Sequence, residues 1–239
     1  MKTIIITGAS SGIGAATARK FLEEGWGVGL IARRKDALEE VAAGHKNALI
    51  LPCDVTNDED TERSFVHFRE RFVRLDCLFN NAGMFGPAAS LNEIDLADWR
   101  ATMDLNINGM FICAKLAFGQ MRHQTPQGGR IIMNGSLSAH APRTASSAAY
   151  TTTKHAISGL TKTISMDGRA FNIACGQIDI GNAGTPLVEA LAAREDTPMP
   201  VMEVEHCANA VFHMAGLPLD ANVQNMTLMA TTMPFVGRG

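Results

Sequence analysis

The sequence predicts a doubly wound parallel α/β sheet with helices on both faces, three layers in all. Three observations point there. Short β-branched runs without polar alternation read as strands buried on both faces, and the first of them is Thr3-Ile-Ile-Ile-Thr7. Such runs alternate with segments of helical periodicity, which is the pattern of parallel βαβ units. A glycine-rich turn, Gly8-Ala-Ser-Ser-Gly-Ile-Gly14, joins the first run to a strong helix former that begins at Ala15.

No repeat, linker or low-complexity stretch divides the 239 residues, so a single domain over 1–239 is expected. Hydrophobic content of 46% with 19% charged residues suits a chain with a sizeable core. A net charge of −3 gives no basis for a nucleic-acid partner or an anionic membrane surface. No run reaches the ~18 apolar residues of a membrane helix, and the first residues lack the long apolar region of a signal peptide. Cys53, Cys77, Cys113, Cys175 and Cys207 are odd in number and never spaced Cys-x-x-Cys. That pattern argues against a zinc site or a disulfide framework and for a reducing, cytoplasmic setting. No metal is expected.

The glycine turn has a direct chemical reading. Glycines let the backbone turn tightly and approach a pyrophosphate, whose charge is then held by the free N–H groups and dipole of the helix start. Gly8, Ser10, Ser11, Gly12, Ile13 and Gly14 are the candidate contacts. The spacing Thr7-Gly8-x-x-x-Gly12-x-Gly14 resembles the short-chain dehydrogenase/reductase family, where this turn binds the dinucleotide of a Rossmann-type fold.

The second strand, Gly27–Ala32, runs into Arg33-Arg34-Lys35, with no acidic residue before Asp36. An acid at this strand end bonds the ribose 2′-hydroxyl of NAD, whereas an arginine suits a 2′-phosphate, which a guanidinium fork binds bidentately. NADP(H) is therefore the preferred cofactor, with Arg33 as first contact and Arg34 as second, and NAD(H) remains possible. Ser11 stands where many NADP-binding members of the family carry a second basic residue.

A helix is expected over 36–43 and a third strand over 47–53, leading to Asp54-Val55. The resemblance implies that this pair contacts adenine; the residues alone also suit a polar turn. Residues 58–72 form an amphipathic helix with Phe65, Phe68 and Phe72 as a core stripe. The fourth strand, Leu75–Phe79, ends in Asn80-Asn81-Ala82-Gly83, similar to the family's Asn-Asn-Ala-Gly. The resemblance places Asn81, Ala82 and Gly83 near the adenosine ribose. Residues 96–121 read as helical, with Trp99, Met103, Ile107, Phe111 and Ala114 on one stripe. Asn106 fits a backbone-bonded asparagine in a bent helix. Asn106-Ile-Asn-Gly109 also matches the family's Asn-x-x-Gly, whose asparagine holds a water connected to the catalytic lysine.

The fifth strand, Gln127–Asn134, leads to Gly135-Ser136-Leu137-Ser138. Open α/β sheets bind ligands at the carboxyl ends of their strands, and the resemblance implies a serine there bonded to the substrate oxygen. Ser136 and Ser138 lie 14 and 12 residues before Tyr150, one more and one fewer than the family's usual separation. Ser136 is preferred, because Ile-Ile-Met-Asn-Gly-Ser matches the strand-Gly-Ser pattern and a loop absorbs one residue cheaply. Tyr150, the one tyrosine of the chain, stands four residues before Lys154 in a helical segment. That spacing puts both on one face, and a cation favours the phenolate and lowers the phenol pKa from about 10. The pair thereby becomes a proton-transfer catalyst.

A sixth strand is expected over 171–175, followed by Gly176 and Ile178 in the place of the family's Pro-Gly and Val/Ile-x-Thr nicotinamide clamp. Ile180 then stands at the threonine position, so the clamp falls to backbone groups, Asn182 or Thr185. Residues 181–203 read as a substrate lid, 204–217 as a helix and 225–230 as a final strand. The apolar tail from Met233 suggests docking on a partner subunit.

Family resemblance extends from Thr7 to the final strand. It implies an NADP(H)-dependent oxidoreductase interconverting a small-molecule carbonyl and a secondary alcohol, with Ser136, Tyr150, Lys154 and Asn106 as the catalytic set. It also implies a homodimer or homotetramer. An NAD-dependent dehydrogenase, an epimerase on the same scaffold and a non-enzymatic NADP(H)-binding regulator are the alternatives.

Overall fold

Thr3–Thr7 forms β1, and each of its five residues is buried. Ile4 and Ile6 face one core and Ile5 the other, which is what an uninterrupted apolar strand in a sheet covered on both sides requires. The structure is a computed structural model describing residues 1–186, 188 and 199–235.

The sheet has six further strands: β2 (Gly27–Ala32), β3 (Ala48–Pro52), β4 (Cys77–Asn80), β5 (Gly129–Asn134), β6 (Ile173–Ile180) and β7 (Asn225–Leu228). They lie in the order β3-β2-β1-β4-β5-β6-β7, and every pairing is parallel. The order reverses between β1 and β4, so the crevice beyond their carboxyl ends is where ligands bind in sheets of this kind.

Helices α1 (Gly12–Glu23), α2 (Lys35–Ala42) and α7 (Val204–Gly216) bury their apolar sides with Ile4, Ile6 and Leu30. Helices α3 (Asp58–Phe72), α5 (Met110–His123) and α6 (Ala148–Asp167) enclose the other core. The phenylalanine stripe of α3 packs inward, and two glycines of β2 make room for it. A Cβ at Gly29 would come within 2.6 Å of the Phe68 ring, and one at Gly27 within 2.6 Å of Phe72.

The segment expected as one helical stripe over 96–121 is broken. It comprises α4 (Leu96–Met103), a π-turn at Asp104–Gly109, and α5. The wider π-turn shifts the register of α5 against α4. The buried line therefore runs through Thr102, Asn106, Met110, Cys113, Ala117 and Met121, while Phe111 is half exposed. Such turns cost helical hydrogen bonding and recur at functional sites.

The largest departure is β6, which continues to Ile180 rather than stopping at residue 175. Its extra residues pair with β5 and β7: Ile178 lies beside Asn134 on one side and Met226 on the other. The segment expected as a lid is closed at its base, where the Gly184 N–H donates to the Met202 carbonyl (2.8 Å) and the Met202 N–H to the Asn182 carbonyl (3.0 Å). Its middle, 187 and 189–198, lies outside the described residues. The described part of the tail packs on its own chain. Met233 is buried with Leu137 and Ala230, and Phe235 packs edge-on to His140; 236–239 lie outside the described residues.

Gly29→Ala should lower the unfolding free energy by about 1–3 kcal/mol through overpacking against Phe68. Denaturant titration would show it as a lower midpoint at unchanged slope, with activity intact in the folded fraction.

Candidate active site

The site assembles at the carboxyl ends of β1, β4, β5 and β6. Thr7 closes β1 and ties two loops together. Its hydroxyl oxygen accepts from the N–H groups of Asn81 (2.8 Å) and Ala82 (2.9 Å). The Asn81 amide donates to the Thr7 carbonyl at 2.9 Å and accepts from the Asn134 amide at 2.8 Å. The Asn134 carbonyl in turn accepts from Lys154 Nζ at 2.8 Å. A continuous chain of hydrogen bonds thus runs from the glycine turn to the buried ammonium.

Ser136, Tyr150 and Lys154 meet. The phenol of Tyr150 is hydrogen-bonded to the Ser136 side chain, and the Ser136 hydroxyl oxygen also accepts from the Ser138 N–H at 3.2 Å. Of the two serines weighed from the sequence, Ser136 is therefore the one bonded to the phenol. Ser138 is buried and meets Ser136 through its backbone. The Lys154 ammonium lies 5.5 Å from the centre of the Tyr150 ring. Phe85 packs edge-on against that ring, with centroids 4.9 Å apart.

The electrostatics correct one expectation. Burial pushes the Tyr150 phenol above its ordinary value; the Ser136 hydrogen bond and the Arg143 charge pull it down, and the Asp179 carboxylate pushes it up. Arg143 adds a cationic pull on the phenol, and in the protein alone desolvation outweighs it. Burial lowers Lys154 to about 8, against the upward pull of Asp179.

Asn106 is fully buried in the π-turn. Its side-chain oxygen accepts from the Met84 N–H (2.9 Å), and its amide donates to the Met84 carbonyl (2.8 Å) and to Thr153 Oγ1 (3.2 Å). Asn106 thus staples the loop after β4 to the residue preceding Lys154. Asn108 bonds Asp104 instead.

On the other side of the crevice, Gly8 and Gly12 adopt φ of +66° and +53°, which side-chain-bearing residues rarely take. A Cβ at Gly14 would fall 2.2 Å from the Gly8 carbonyl oxygen. Ser10, Ser11 and Ile13 keep exposed surface along the turn. Ser11 caps α1 without a side-chain hydrogen bond, and the first helical turn carries no acidic residue. Its N–H groups and dipole are thus available to an anion. Arg33 and Arg34 are exposed at the end of β2. They make no ion pair among the described residues. Asp54 closes its own turn, accepting from the Thr56 N–H (3.0 Å) and hydroxyl (2.8 Å), while Val55 is buried against Gly109. Ala82 and Gly83 retain surface beside the Thr7 turn. An anion-ready helix start with two exposed guanidinium groups at the next strand end fits a phosphorylated dinucleotide.

The family model described as short chain dehydrogenase matches residues 2–196. The chain belongs to the short-chain dehydrogenase family. It is an oxidoreductase that acts on CH–OH and C=O groups. A 3beta-hydroxysteroid dehydrogenase of Mediterraneibacter gnavus is 34% identical over 202 residues, covering 83% of this chain and 72% of that protein. The serine 3-dehydrogenase of Agrobacterium fabrum is 28% identical over 98% of this chain and 96% of its own. Among solved structures, the closed form of serine dehydrogenase complexed with NADP+ superposes with a TM-score of 0.88 at 23% identity, covering 99% of this chain and 98% of that one. An alcohol dehydrogenase from the archaeon Thermococcus sibiricus complexed with 5-hydroxy-NADP superposes with a TM-score of 0.84 at 25% identity, covering 97% of each chain.

Two cofactor contacts expected for this dehydrogenase are misplaced. Gly176 and Ile178 lie inside β6, where Ile178 is fully buried. A Cβ at Gly176 would meet the Val223 carbonyl at 1.9 Å. Neither has a face for a ligand. Thr185 lies beside the glycine turn: a Cβ at Gly12 would stand 3.2 Å from its methyl group. Gly181 and Thr185 keep a Gly-x-x-x-Thr spacing, and Thr185 is one of the clamp groups expected from the sequence. Asp179, His140, Arg143 and Phe85 escaped sequence reasoning because only folding brings them to Ser136 and Tyr150.

A cation whose pKa is depressed in the folded state costs stability in full below that value. The cost is relieved as pH rises from about 8 toward the unfolded lysine value of 10.5. Lys154→Met should therefore stabilise the cofactor-free protein by roughly 1–3 kcal/mol at neutral pH. Thermal melts should show the advantage shrinking above pH ~9, while turnover is lost.

Proposed function

We propose that the protein is an NADP(H)-dependent oxidoreductase interconverting a carbonyl and a secondary alcohol, with Tyr150 as general acid and base. The observation that carries this reading is the Tyr150 phenol bonded to Ser136, with the Lys154 ammonium over its ring, at the edge of the sheet that also bears the glycine turn.

Bound NADP(H) supplies or accepts the hydride. Gly8, Ser10, Ser11, Gly12, Ile13 and Gly14 would hold its pyrophosphate, and Arg33 and Arg34 its 2′-phosphate. Asp54, Val55, Asn81, Ala82 and Gly83 would border its adenosine, and Thr185 its nicotinamide. Tyr150 and Lys154 would hold the nicotinamide ribose. In reduction Tyr150 donates a proton to the developing alkoxide, and in oxidation it takes the proton back. Ser136 donates to the substrate oxygen and polarises it. Lys154 favours the phenolate once Tyr150 has given up its proton. Asn106 braces the π-turn from which a water-linked relay reaches Lys154. The raised phenol pKa keeps Tyr150 protonated in the protein alone. NAD(H) is the second cofactor reading, since a 3-ketoacyl-(acyl-carrier-protein) reductase complexed with NADH has the same fold.

The five buried, free cysteines support a cytoplasmic location, and half-exposed Phe111 on α5 supports a homodimer or homotetramer. Among the described residues no helix is long and apolar enough to cross a membrane. We read the chain as one domain, with the loop anchored at Asn182–Gly184 and Met202 as the substrate lid.

A panel of carbonyls and alcohols assayed with both cofactors tests the reading. Tyr150→Phe should reduce kcat ~10²–10⁴-fold, and near-normal turnover would refute the assignment. Arg33→Ala should weaken NADP+ binding ~10–100-fold, the worth of one or two charged hydrogen bonds, and leave NAD+ binding nearly unchanged. Calorimetric titration of both cofactors would measure it.

A further inference from the structure

Asp179 is fully buried at the end of β6. Its carboxylate accepts a hydrogen bond from each of four groups. Oδ1 takes the Ser136 N–H (2.9 Å) and Gln177 Nε2 (2.7 Å). Oδ2 takes His140 Nε2 (2.8 Å) and Asn225 Nδ2 (2.7 Å). Gly135 exists for this contact, because a Cβ there would stand 1.9 Å from Asp179 Oδ1. A carboxylate this buried is retained only when each oxygen is satisfied, and here two of the four donors, the Ser136 amide and His140, belong to the loop of the catalytic serine.

The charge has a direction. Asp179 faces Tyr150 and Lys154 on α6, His140 on the loop after β5, and Asn225 on β7, while Arg143 acts on Tyr150 from the same loop as His140. Resting on the function proposed above, we propose that Asp179 is a positioning residue of the catalytic centre. It aims Ser136 at Tyr150 through the Ser136 amide and sets a fixed negative charge behind the Tyr150–Lys154 pair. That charge opposes the phenolate and favours the ammonium, adding to the burial that keeps Tyr150 in its proton-donating form.

Tyr150 is the one tyrosine of the chain, which makes its ionisation readable without cofactor or substrate. Asp179→Asn removes the charge and keeps the shape. The side-chain oxygen still accepts from the Ser136 N–H, while the Asn225 amide can reverse and His140 can change tautomer to meet the new amide. Alkaline titration of near-ultraviolet tyrosinate absorbance, with Tyr150→Phe as the blank, should give an Asp179→Asn midpoint roughly one pH unit below wild type. The limb of kcat/KM against pH that Tyr150→Phe abolishes should move the same way. Asp179→Ser takes the same measurement if the asparagine variant does not fold.

A midpoint and limb unchanged in a folded variant would overturn the proposal. Failure of both variants to fold would overturn it too, since Asp179 would then belong to the fold rather than to the site. Near-normal turnover of Tyr150→Phe would refute the functional reading instead, and the absorbance titration would still report on the Asp179 charge.

Discussion

The amide of Asn81 joins the two halves of the crevice. It donates to the Thr7 carbonyl on the glycine-turn side and accepts from Asn134 on the Lys154 side. These groups end three adjacent parallel strands, where backbone pairing stops and polar groups need new partners. The chain meets that need with side chains, and the result sets the distance between the anion-ready helix start and the ammonium. A parallel sheet supplies a level edge; the asparagines convert it into a fixed frame.

Within that frame, burial opposes ionisation. Lys154 is buried and Tyr150 partly so, which disfavours phenolate and ammonium alike. Asp179 restores part of the ammonium's stability and adds to the cost of the phenolate. Arg143 works the other way on the phenol. Burial and the balance of these charges together set the protonation of the pair. Stability is surrendered to obtain it, as is usual where a catalytic group must be desolvated.

Much of the fold was legible because its signals are local. β1 and β2 are apolar runs whose bounds agree with the sequence reading, and the aromatic stripe of α3 packs where its periodicity put it. The misreadings share a cause. β6 runs on through Gln177 and Asp179, polar residues that look like a loop, because their side chains are satisfied by Ser158, Ser136 and Asn225 from other elements. A β6 cut short at residue 175 hands Gly176 and Ile178 to the cofactor, although both lie within the sheet. The π-turn at Asp104–Gly109 was equally hidden, since its register depends on Asn106 bonding Met84 and Thr153 across the site.

The linear order of residues determined the strand–helix alternation, the glycine turn, the arginines at the second strand end and the Tyr150–Lys154 spacing. All of these are written in contacts a few residues long. Only the tertiary structure decided that Ser136 rather than Ser138 bonds the phenol, and that the charges of Arg143 and Asp179 act on Tyr150. Those outcomes depend on strands and loops brought together from far apart in the chain, and on burial, which sets the strength of every charge once water is excluded.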